Sequence, residues 1–247
     1  MTAFPNPRSL RFDDLMIVPS PAYCRPAAYR AFAESLPAID TTAGLFRAAW
    51  AIAQHDQPDA DLAAGETVIE NLARAVQRRV RSRTRDALLA HLHDVLFEVI
   101  GFRGNREDYY NPANSLLPDV LRSRRGLPIS LTLIYRCVAA GVGLTVHGVN
   151  APGHFLAEVE LEEAMGRRTE YVDPFYGGDL LHEPEALARI GEATGHDVSH
   201  TREVLRRATP QQWLARMLHN LQAALAACGR ERDMYAMQEL SQLLEQA

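Results

Sequence analysis

Three polar residues, Ser130, His154 and Asp173, follow one another in an order that suits acyl-transfer chemistry. In such chemistry a hydroxyl or thiol attacks, a histidine takes its proton, and a carboxylate orients the histidine. Ser130 stands near the beginning of a long apolar stretch, and a nucleophile at the beginning of a helix gains backbone amide donors for the developing oxyanion. The sequence therefore allows a catalytic set with Ser130 as nucleophile, His154 as base and Asp173 as orienting acceptor.

The stretch that contains Ser130 is predicted to be a helix buried in the middle of a domain. Its side chains are apolar nearly all round, which leaves no polar face wide enough for solvent. Pro128 suits the first helical turn, where no amide hydrogen is needed, and Gly141 and Gly143 are residues that end helices. We therefore expect Ser130 in the first turn of a central helix.

His154 and Asp173 are predicted to lie on a β-hairpin. The residues from His154 onward alternate, which predicts a strand with two distinct faces: Phe155, Ala157, Val159 and Leu161 on one, and His154, Leu156, Glu158 and Glu160 on the other. A loop at 163–166 would place Asp173 diagonal to His154 on the same face. The same register sets Glu170 against Val159, which is unfavourable on a core face.

The rest of the chain is predicted to be mostly helical. The first 38 residues contain six prolines, which predicts an irregular arm with one helical block at about 27–35. Three further helices are predicted before residue 101: one capped by Thr41 or Thr42 that runs through His55, one from Asp61, and one from Thr84 or Asp86 through Ile100. Two short helices are predicted after Ser115 and at 184–190. Two more are predicted in the C-terminal part, from Thr209 to Gly229 and over 232–246. The last two would form an antiparallel hairpin like one unit of a helical repeat, which must pack on the main domain or on a partner.

Composition excludes several classes of function. A net charge of -5 and a pI of about 6.0 give no general attraction to nucleic acid or to anionic membranes. All basic residues are arginine, which excludes lysine Schiff-base chemistry. The three cysteines are widely spaced and the histidines are scattered, so we expect a reduced cytoplasmic protein with no metal and no cofactor. Neither a signal-peptide pattern nor a membrane-length apolar stretch is apparent, so no membrane association is expected.

Several of these residues also have a purely structural interpretation. Ser130 could bond nearby backbone in the first helical turn, and His154 with Asp173 could be a core hydrogen bond that holds the hairpin. Cys137 lies about two turns beyond Ser130 and is interpreted as a small buried hydrophobe. Asn114 could contact a substrate or oxyanion, or Asn114 or Ser115 could cap the short helix. The basic cluster at 78–85 could meet RNA, but arginine at a helix C-terminus is favoured by the dipole in any case.

Four runs of sequence resemble the SirB-type branch of bacterial transglutaminase-like proteins: GFRGNREDYYNPANS at 101–115, RGLPISL at 125–131, GVNAPGHFL at 148–156 and VDPFYGG at 172–178. The resemblance covers about residues 52–181. It implies an α+β fold of the papain-like or transglutaminase-like type, with a helical front, a central helix packed on a small antiparallel sheet, and commonly a tetratricopeptide-like C-terminal segment. Members of this branch are regulatory or uncharacterised, and the resemblance implies no substrate.

One departure from the family pattern decides the functional hypothesis. In catalytic transglutaminase-like domains the nucleophilic cysteine opens the central helix, and this chain has Pro128 and Ser130 at that place. We therefore predict a non-catalytic regulatory or protein-binding module whose partner docks through the C-terminal helices. The domains would be an arm at 1–38, a transglutaminase-like domain at 39–200 and a helical hairpin at 208–247. The alternative is a hydrolase or acyltransferase that uses Ser130, His154 and Asp173, with Asn114 as a binding residue.

Overall fold

The computed structural model describes residues 20–82, 84–163 and 166–247 and shows the expected α+β fold. Residues 1–19 of the predicted irregular arm lie outside the described residues, and the rest of the arm contains a helix where the helical block was expected. The helices are α1 (Pro26–Ser35), α2 (Thr42–Asp56), α3 (Leu62–Arg79), α4 (Arg85–His93), α5 (Leu117–Ser123), α6 (Pro128–Gly141), α7 (Glu183–Thr194), α8 (Pro210–Ala227) and α9 (Glu231–Glu245).

The predicted helix starts are confirmed by their hydrogen bonds. Side chains of Thr41, Asp61, Thr84 and Thr209 each accept a backbone amide hydrogen in the first turn of the helix that follows. Each of these caps satisfies an amide that has no partner inside its own helix, and the structure selects Thr41 and Thr84 where the sequence had left two candidates.

The helix predicted to run through Ile100 departs from expectation. It is α-helical only to His93 and continues as a π-helix over Asp94–Val99. The wider turn accompanies close packing of Phe97, whose ring stacks on Tyr135 of α6 with centroids 6.0 Å apart. The same ring lies against Gly178, where a Cβ atom would come within 2.1 Å of it. The π-helix thus brings an aromatic ring onto both the central helix and the segment that follows Asp173.

A small parallel sheet pairs β1 (Arg103–Gly104) with β2 (Arg125–Gly126). The main sheet is antiparallel with strand order β3-β4-β5-β6 (Thr145–Val149, Leu156–Glu163, Gly166–Asp173 and Asp179–Leu181). The predicted register of the β4–β5 hairpin is confirmed, since Ala157 pairs with Val172 and Val159 pairs with Glu170. Glu170 is buried opposite Val159, but its carboxylate has ion-pair contacts with Arg168 at 3.4 Å and with His182 at 3.2 Å. These contacts offset the cost of burying a carboxylate on a core face.

The two faces of this sheet are covered by different helices. Ala157, Val159 and Leu161 point into the large core built around α6, as the alternation predicted. Leu156 points the other way, into a smaller apolar cluster with side chains of α7 such as Ile190. Side chains on the same face of the sheet as Leu156 are therefore directed toward α7, and this orientation determines which residues Asp173 can contact.

The C-terminal hairpin of α8 and α9 packs on the main body of the protein. Trp213 of α8 lies against Gly148 and against the ring of Phe155, 4.7 Å away, within the same core as α6. On α9, Asp233 accepts a 3.0 Å hydrogen bond from the buried His55 of α2. The hairpin buries its apolar face on the domain, which is one of the two arrangements expected from its sequence.

Candidate functional site

His154 and Asp173 form a buried hydrogen-bonded pair at one end of the sheet. The Nε2 atom of His154 lies 2.8 Å from Oδ2 of Asp173. His154 is 6% exposed and Asp173 is 0% exposed. The imidazole ring makes edge-on contacts with Phe175 and Tyr176, with centroids about 6 Å away. The second ring nitrogen, Nδ1, has no hydrogen bond to any residue that the structure describes.

Local sequence places both side chains. Gly153 has a φ of +68°, which lets the chain turn sharply before His154. Asp173 ends β5 and caps the 3-10 turn Pro174–Tyr176, since its Oδ1 accepts from the amides of Phe175 at 3.1 Å and of Tyr176 at 3.4 Å. The backbone of the segment that directly follows β5 therefore holds the Asp173 carboxylate in place, independently of its side-chain partners.

Arg189 of α7 is a third partner of Asp173 that the sequence did not reveal. Its Nη1 donates to Asp173 Oδ2 at 2.7 Å, and its Nη2 donates to Asp179 at 3.0 Å. Burial alone would lower the pKa of Arg189, but the hydrogen bonds and charges of Asp179 and Asp173 raise it. The negative charge of Asp173 is therefore partly compensated by a permanent cation, which Asp173 shares with Asp179.

Ser130 lies in the first turn of α6, as expected, and is completely buried. Its Oγ has no hydrogen-bond partner among the described residues. The structure therefore shows no hydrogen bond between Ser130 and His154. The structural interpretation in which the Ser130 hydroxyl bonds nearby backbone is wrong, because the hydroxyl is buried without any acceptor in reach.

Cys137 is buried on α6, consistent with the interpretation of a small hydrophobe. Burial raises the pKa of its thiol to about 12, against a smaller opposing effect of Arg136. It lines a cleft of about 360 Å³ between α2, α3 and α6, together with Phe46 and Ile69. Because only the thiolate is a strong nucleophile, this raised pKa disfavours Cys137 as a nucleophile at neutral pH.

Asn114 organises the loop in front of α6. Its side-chain Nδ2 donates to the carbonyls of Asp108 at 2.6 Å and Tyr109 at 3.0 Å, and its Oδ1 accepts from Asn105 at 2.9 Å. Its own carbonyl accepts from the amide of Leu127, directly before α6. Both amide hydrogens of the side chain are used, so they are not available to a ligand in this arrangement.

The alternative in which Asn114 or Ser115 caps the short helix is wrong. Helix α5 begins after Leu116, which provides no side-chain hydrogen bond. Asn111 instead caps a 3-10 turn over Pro112–Asn114 by accepting from the amide of Ala113. Pro112 restricts the backbone directly after Asn111, which favours a 3-10 turn at this place, ahead of the start of α5.

Aromatic and arginine side chains surround the His154 ring on its open side. The guanidinium groups of Arg106 and Arg189 lie over the Tyr176 ring, 4.2 and 4.0 Å from its centroid. Tyr109 contacts Phe175 edge-on at 5.9 Å. No sequence signal predicted which arginines would lie over Tyr176.

The described residues contain neither a metal-binding cluster nor a membrane-spanning helix. Within them, no group of three or more His, Cys, Asp and Glu side chains is arranged to hold a metal ion. No helix in the described ranges combines the length and apolarity needed to cross a membrane. All three cysteines are described, and each is a free thiol.

Comparison with known proteins agrees with this architecture. The UPF0162 protein of Xylella fastidiosa is 32% identical over 195 residues, which cover 77% of this chain and 68% of that protein. The UPF0162 protein of Vibrio cholerae is 29% identical over 98 residues, or 40% of this chain and 35% of that protein. Human F-box only protein 21 is 34% identical over 128 residues, or 49% of this chain and 20% of that protein. No solved structure matches the chain.

The family model described as the transglutaminase-like superfamily matches residues 64–219. This range begins in α3 and ends in α8, so it contains the central helix, the whole sheet and the His154–Asp173 pair. Because the match spans more than half of the chain and takes in every element that positions the candidate site, the chain belongs to the transglutaminase-like superfamily.

Proposed function

We propose that this protein is a non-catalytic, protein-binding member of the SirB-type branch, in which the transglutaminase-like scaffold persists without a working nucleophile. The observation that supports this most directly is the buried, unbonded hydroxyl of Ser130 at the start of α6. A serine becomes a nucleophile only when a base within hydrogen-bond reach takes its proton. His154, the candidate base, is bonded to Asp173 and not to Ser130.

The charge balance around Asp173 supports the same proposal. In a catalytic triad the carboxylate stabilises the histidine when it becomes positively charged. Here the guanidinium of Arg189 donates to the same oxygen, Oδ2, that faces His154. A carboxylate whose charge is partly compensated by arginine offers less stabilisation to a second cation, so this pair is better suited to holding structure than to proton transfer.

The proposed partner surface lies on the C-terminal hairpin. A polar groove of about 780 Å³ runs along α8 and α9, and its lining is rich in glutamine: Gln211, Gln212, Gln222, Gln238 and Gln242, with Ala215 and His219. Glutamine side chains can both donate and accept hydrogen bonds, which suits the backbone of a bound protein segment. The similarity to F-box only protein 21 extends over only a fifth of that protein, so a comparable unit can form part of a longer protein chain. The hairpin at 208–247 would then be the docking part, and the three free thiols agree with a reducing, cytoplasmic setting.

The catalytic part of the proposal is tested with two activity-based reagents. A fluorophosphonate probe should not label the protein, and a biotinylated primary amine should not become attached to a glutamine-containing acceptor protein in its presence. Labelling that is lost in Ser130→Ala but retained in Cys137→Ala would contradict the proposal. The same outcome would identify Ser130 as the nucleophile.

The docking part is tested by affinity purification with two matched substitutions. Ala215→Arg places a long cation in the hairpin groove, while Ala64→Arg adds the same side chain to the exposed surface of α3. We expect the first variant to lose partners that the second retains. Point substitutions are preferable to a truncation before Thr209, because the hairpin packs in the same core as α6. Identical partners for both variants would refute the role of the groove.

A second candidate function is a hydrolase or acyltransferase that uses Ser130, His154 and Asp173. One observation favours it: the Ser130 hydroxyl and His154 Nδ1 both lack a hydrogen-bond partner among the described residues, and each is a group that a working site would use. Catalytic hydrogen bonds are often loose before substrate binds. A pH-dependent hydrolysis of p-nitrophenyl esters that disappears in both Ser130→Ala and His154→Ala would support this function.

A further inference from the structure

The surface beside His154 is rich in exposed tyrosine and in arginine that has no counter-ion among the residues described by the structure. Tyr109, Tyr110 and Tyr176 are 37%, 76% and 38% exposed, although large aromatic side chains are usually well covered. Tyr109 contacts Tyr110 at 5.3 Å between centroids, and Tyr176 lies against Arg106. We call these three tyrosines together with Arg106 and Arg216 the Tyr–Arg surface. Tyrosine and arginine are the residue types that most often anchor protein interfaces.

Arg216 is the most informative member because its charge is partly buried and unbalanced. It extends from α8 to the segment before His154, where its Nη1 donates to Asn150 Oδ1 at 2.5 Å and to the carbonyl of Ala151 at 2.6 Å. Both acceptors are neutral. Among the described residues, no carboxylate forms an ion pair with Arg216, and its Nε and Nη2 groups make no hydrogen bond. One edge of the guanidinium is therefore held in place while the other remains available.

Electrostatics agree with an unfilled anion site at this point. Burial lowers the pKa of Arg216, and the nearby hydroxyl of Tyr109 raises it only in part. Burial in turn raises the pKa of Tyr109, which is influenced by Arg216 and also by Tyr110 and Tyr176. These mutual effects place Arg216 and the three tyrosines in one neighbourhood. A carboxylate that approaches the free edge of Arg216 could accept two parallel hydrogen bonds.

Arg106 provides a second cation on the same surface. It is exposed, and within the described part of the chain its guanidinium contacts the Tyr176 ring but no carboxylate. Arg189, which also lies over that ring, is already paired with Asp173 and Asp179. Arg106 and Arg216 are thus the two arginines of this neighbourhood that are left for an external anion.

We propose that the Tyr–Arg surface binds a short acidic segment of a partner protein, with one carboxylate on Arg216 and a second near Arg106. This inference rests on the proposed protein-binding role and specifies the chemistry of the partner. Glu107 and Asp108 lie in the same loop, and the whole chain has a net charge of -5. These charges disfavour a long polyanion such as nucleic acid, whereas a short acidic peptide with apolar groups can place its carboxylates on the arginines and pack on the tyrosines.

The test measures fluorescence anisotropy of a fluorescein-labelled peptide of four glutamates and two leucines, with a peptide of four glutamines and two leucines as control. The intact chain should bind the acidic peptide at least about tenfold more tightly than the neutral one at 0.15 M salt, because bonds between charged groups survive moderate screening. Arg106→Gln and Arg216→Gln should each weaken acidic-peptide binding by about tenfold. Arg232→Gln, which removes one exposed arginine from α9, should change it less than about twofold.

The controls separate this inference from the proposed hairpin groove. Arg106 is exposed and holds no buried group, so Arg106→Gln keeps the test valid if Arg216→Gln fails to fold. Ala215→Arg, which blocks the groove, should leave peptide binding unchanged even if it removes cellular partners. Equal affinity for the two peptides, or equal losses in Arg106→Gln and Arg232→Gln, would overturn the proposal. Tighter binding of a single-stranded oligonucleotide that depends on the same two arginines would replace the peptide with nucleic acid and overturn it as well.

Discussion

Two histidines of this chain place Nε2 against an aspartate, and they differ in the use of the other ring nitrogen. His55 bonds Asp233 at 3.0 Å, and its Nδ1 accepts from the amide of Arg25 at 3.2 Å. His154 bonds Asp173 at 2.8 Å, and its Nδ1 has no partner among the described residues. The first ring joins three helical segments and uses both of its nitrogens. A histidine–carboxylate pair is therefore not by itself a sign of catalysis, and the idle nitrogen is what singles out His154.

The carboxylates of the two pairs differ as well. Asp173 is completely buried and receives His154, Arg189 and two backbone amides. Asp233 is partly exposed, and it receives His55 and the guanidinium of Arg230. The His154–Asp173 pair, in which one histidine nitrogen has no partner among the described residues, thus has the carboxylate that accepts from more donors. This contrast indicates that the main role of Asp173 is structural and that orienting His154 is a smaller part of it.

The largest expected effect is a difference in stability between Asp173→Ala and Asp233→Ala. Removal of Asp173 leaves buried His154, two amides and part of Arg189 without their acceptor, which should cost about 3–5 kcal/mol of unfolding free energy. Removal of the partly exposed Asp233 should cost about 1–3 kcal/mol. Urea denaturation of both variants measures the difference. A cost for Asp173→Ala no larger than that for Asp233→Ala would remove the contrast between the carboxylates.

A third histidine, His93, sharpens the comparison because its ring contacts no carboxylate of the residues that the structure describes. It bonds the buried hydroxyl of Tyr135 at 2.9 Å, and burial lowers its pKa from 6.5 to about 4. The unfolded chain therefore binds a proton at a higher pH than the folded one. The stability linked to His93 is fully present above about pH 6.5 and is lost as pH falls toward 4, by about 3 kcal/mol.

The variant His93→Gln should flatten that pH dependence, because an amide can still donate to Tyr135 but does not titrate. The exposed His219→Gln on α8 is the matched control and should leave the pH dependence as in the unmodified chain. Both are compared by urea unfolding between pH 4 and pH 7. An unchanged slope in His93→Gln would mean that another group causes the acid sensitivity.

The two rings themselves should differ by a smaller amount. His55→Ala removes two hydrogen bonds and leaves the Arg25 amide unpaired, which should cost about 2–3 kcal/mol. His154→Ala removes one hydrogen bond, and Asp173 keeps its other donors, so the expected cost is about 1–2 kcal/mol. Thermal and urea unfolding of the pair give the comparison. If His154→Ala were the more damaging substitution, its Nδ1 could not be idle in the folded protein.

The smallest expected effect has the opposite sign. Ser130→Ala removes a buried hydroxyl that has no partner among the described residues, so it should leave stability unchanged or raise it by about 1 kcal/mol. Ser123→Ala is the control, because the Ser123 hydroxyl bonds the backbone of Arg125 and its loss should cost about 0.5 kcal/mol. A clear destabilisation by Ser130→Ala would show that the hydroxyl has a partner in solution.

Features set by neighbouring residues could be predicted from the sequence. The caps at Thr41, Asp61, Thr84 and Thr209 depend on side chains and amides only two or three residues apart. The register of β4 with β5 follows from the few residues between the two strands along the chain together with the alternation of apolar side chains. The proximity of His154 and Asp173 was a consequence of that register.

Features set by packing between distant elements could not be predicted. Arg189 reaches Asp173 because α7 covers the far face of the sheet, and Arg216 reaches Ala151 because α8 crosses the segment before His154. Neither arginine lies in a motif, and the chain has many others. The change from α-helix to π-helix after His93 likewise depends on where Phe97 meets Gly178. Local pattern located the candidate histidine but not the side chains that decide its chemistry.

The anchoring of α8 on the segment before His154 has a practical consequence for anyone who expresses parts of this protein. The family match ends at residue 219, in the middle of Pro210–Ala227. A recombinant fragment with that boundary would keep Arg216 but lose Leu221 and Leu225, whose side chains bury the same helix in the core. Its last turns would fray, and the arginine would lose its rigid support. A fragment intended for crystallisation or binding assays should therefore include the chain through α9.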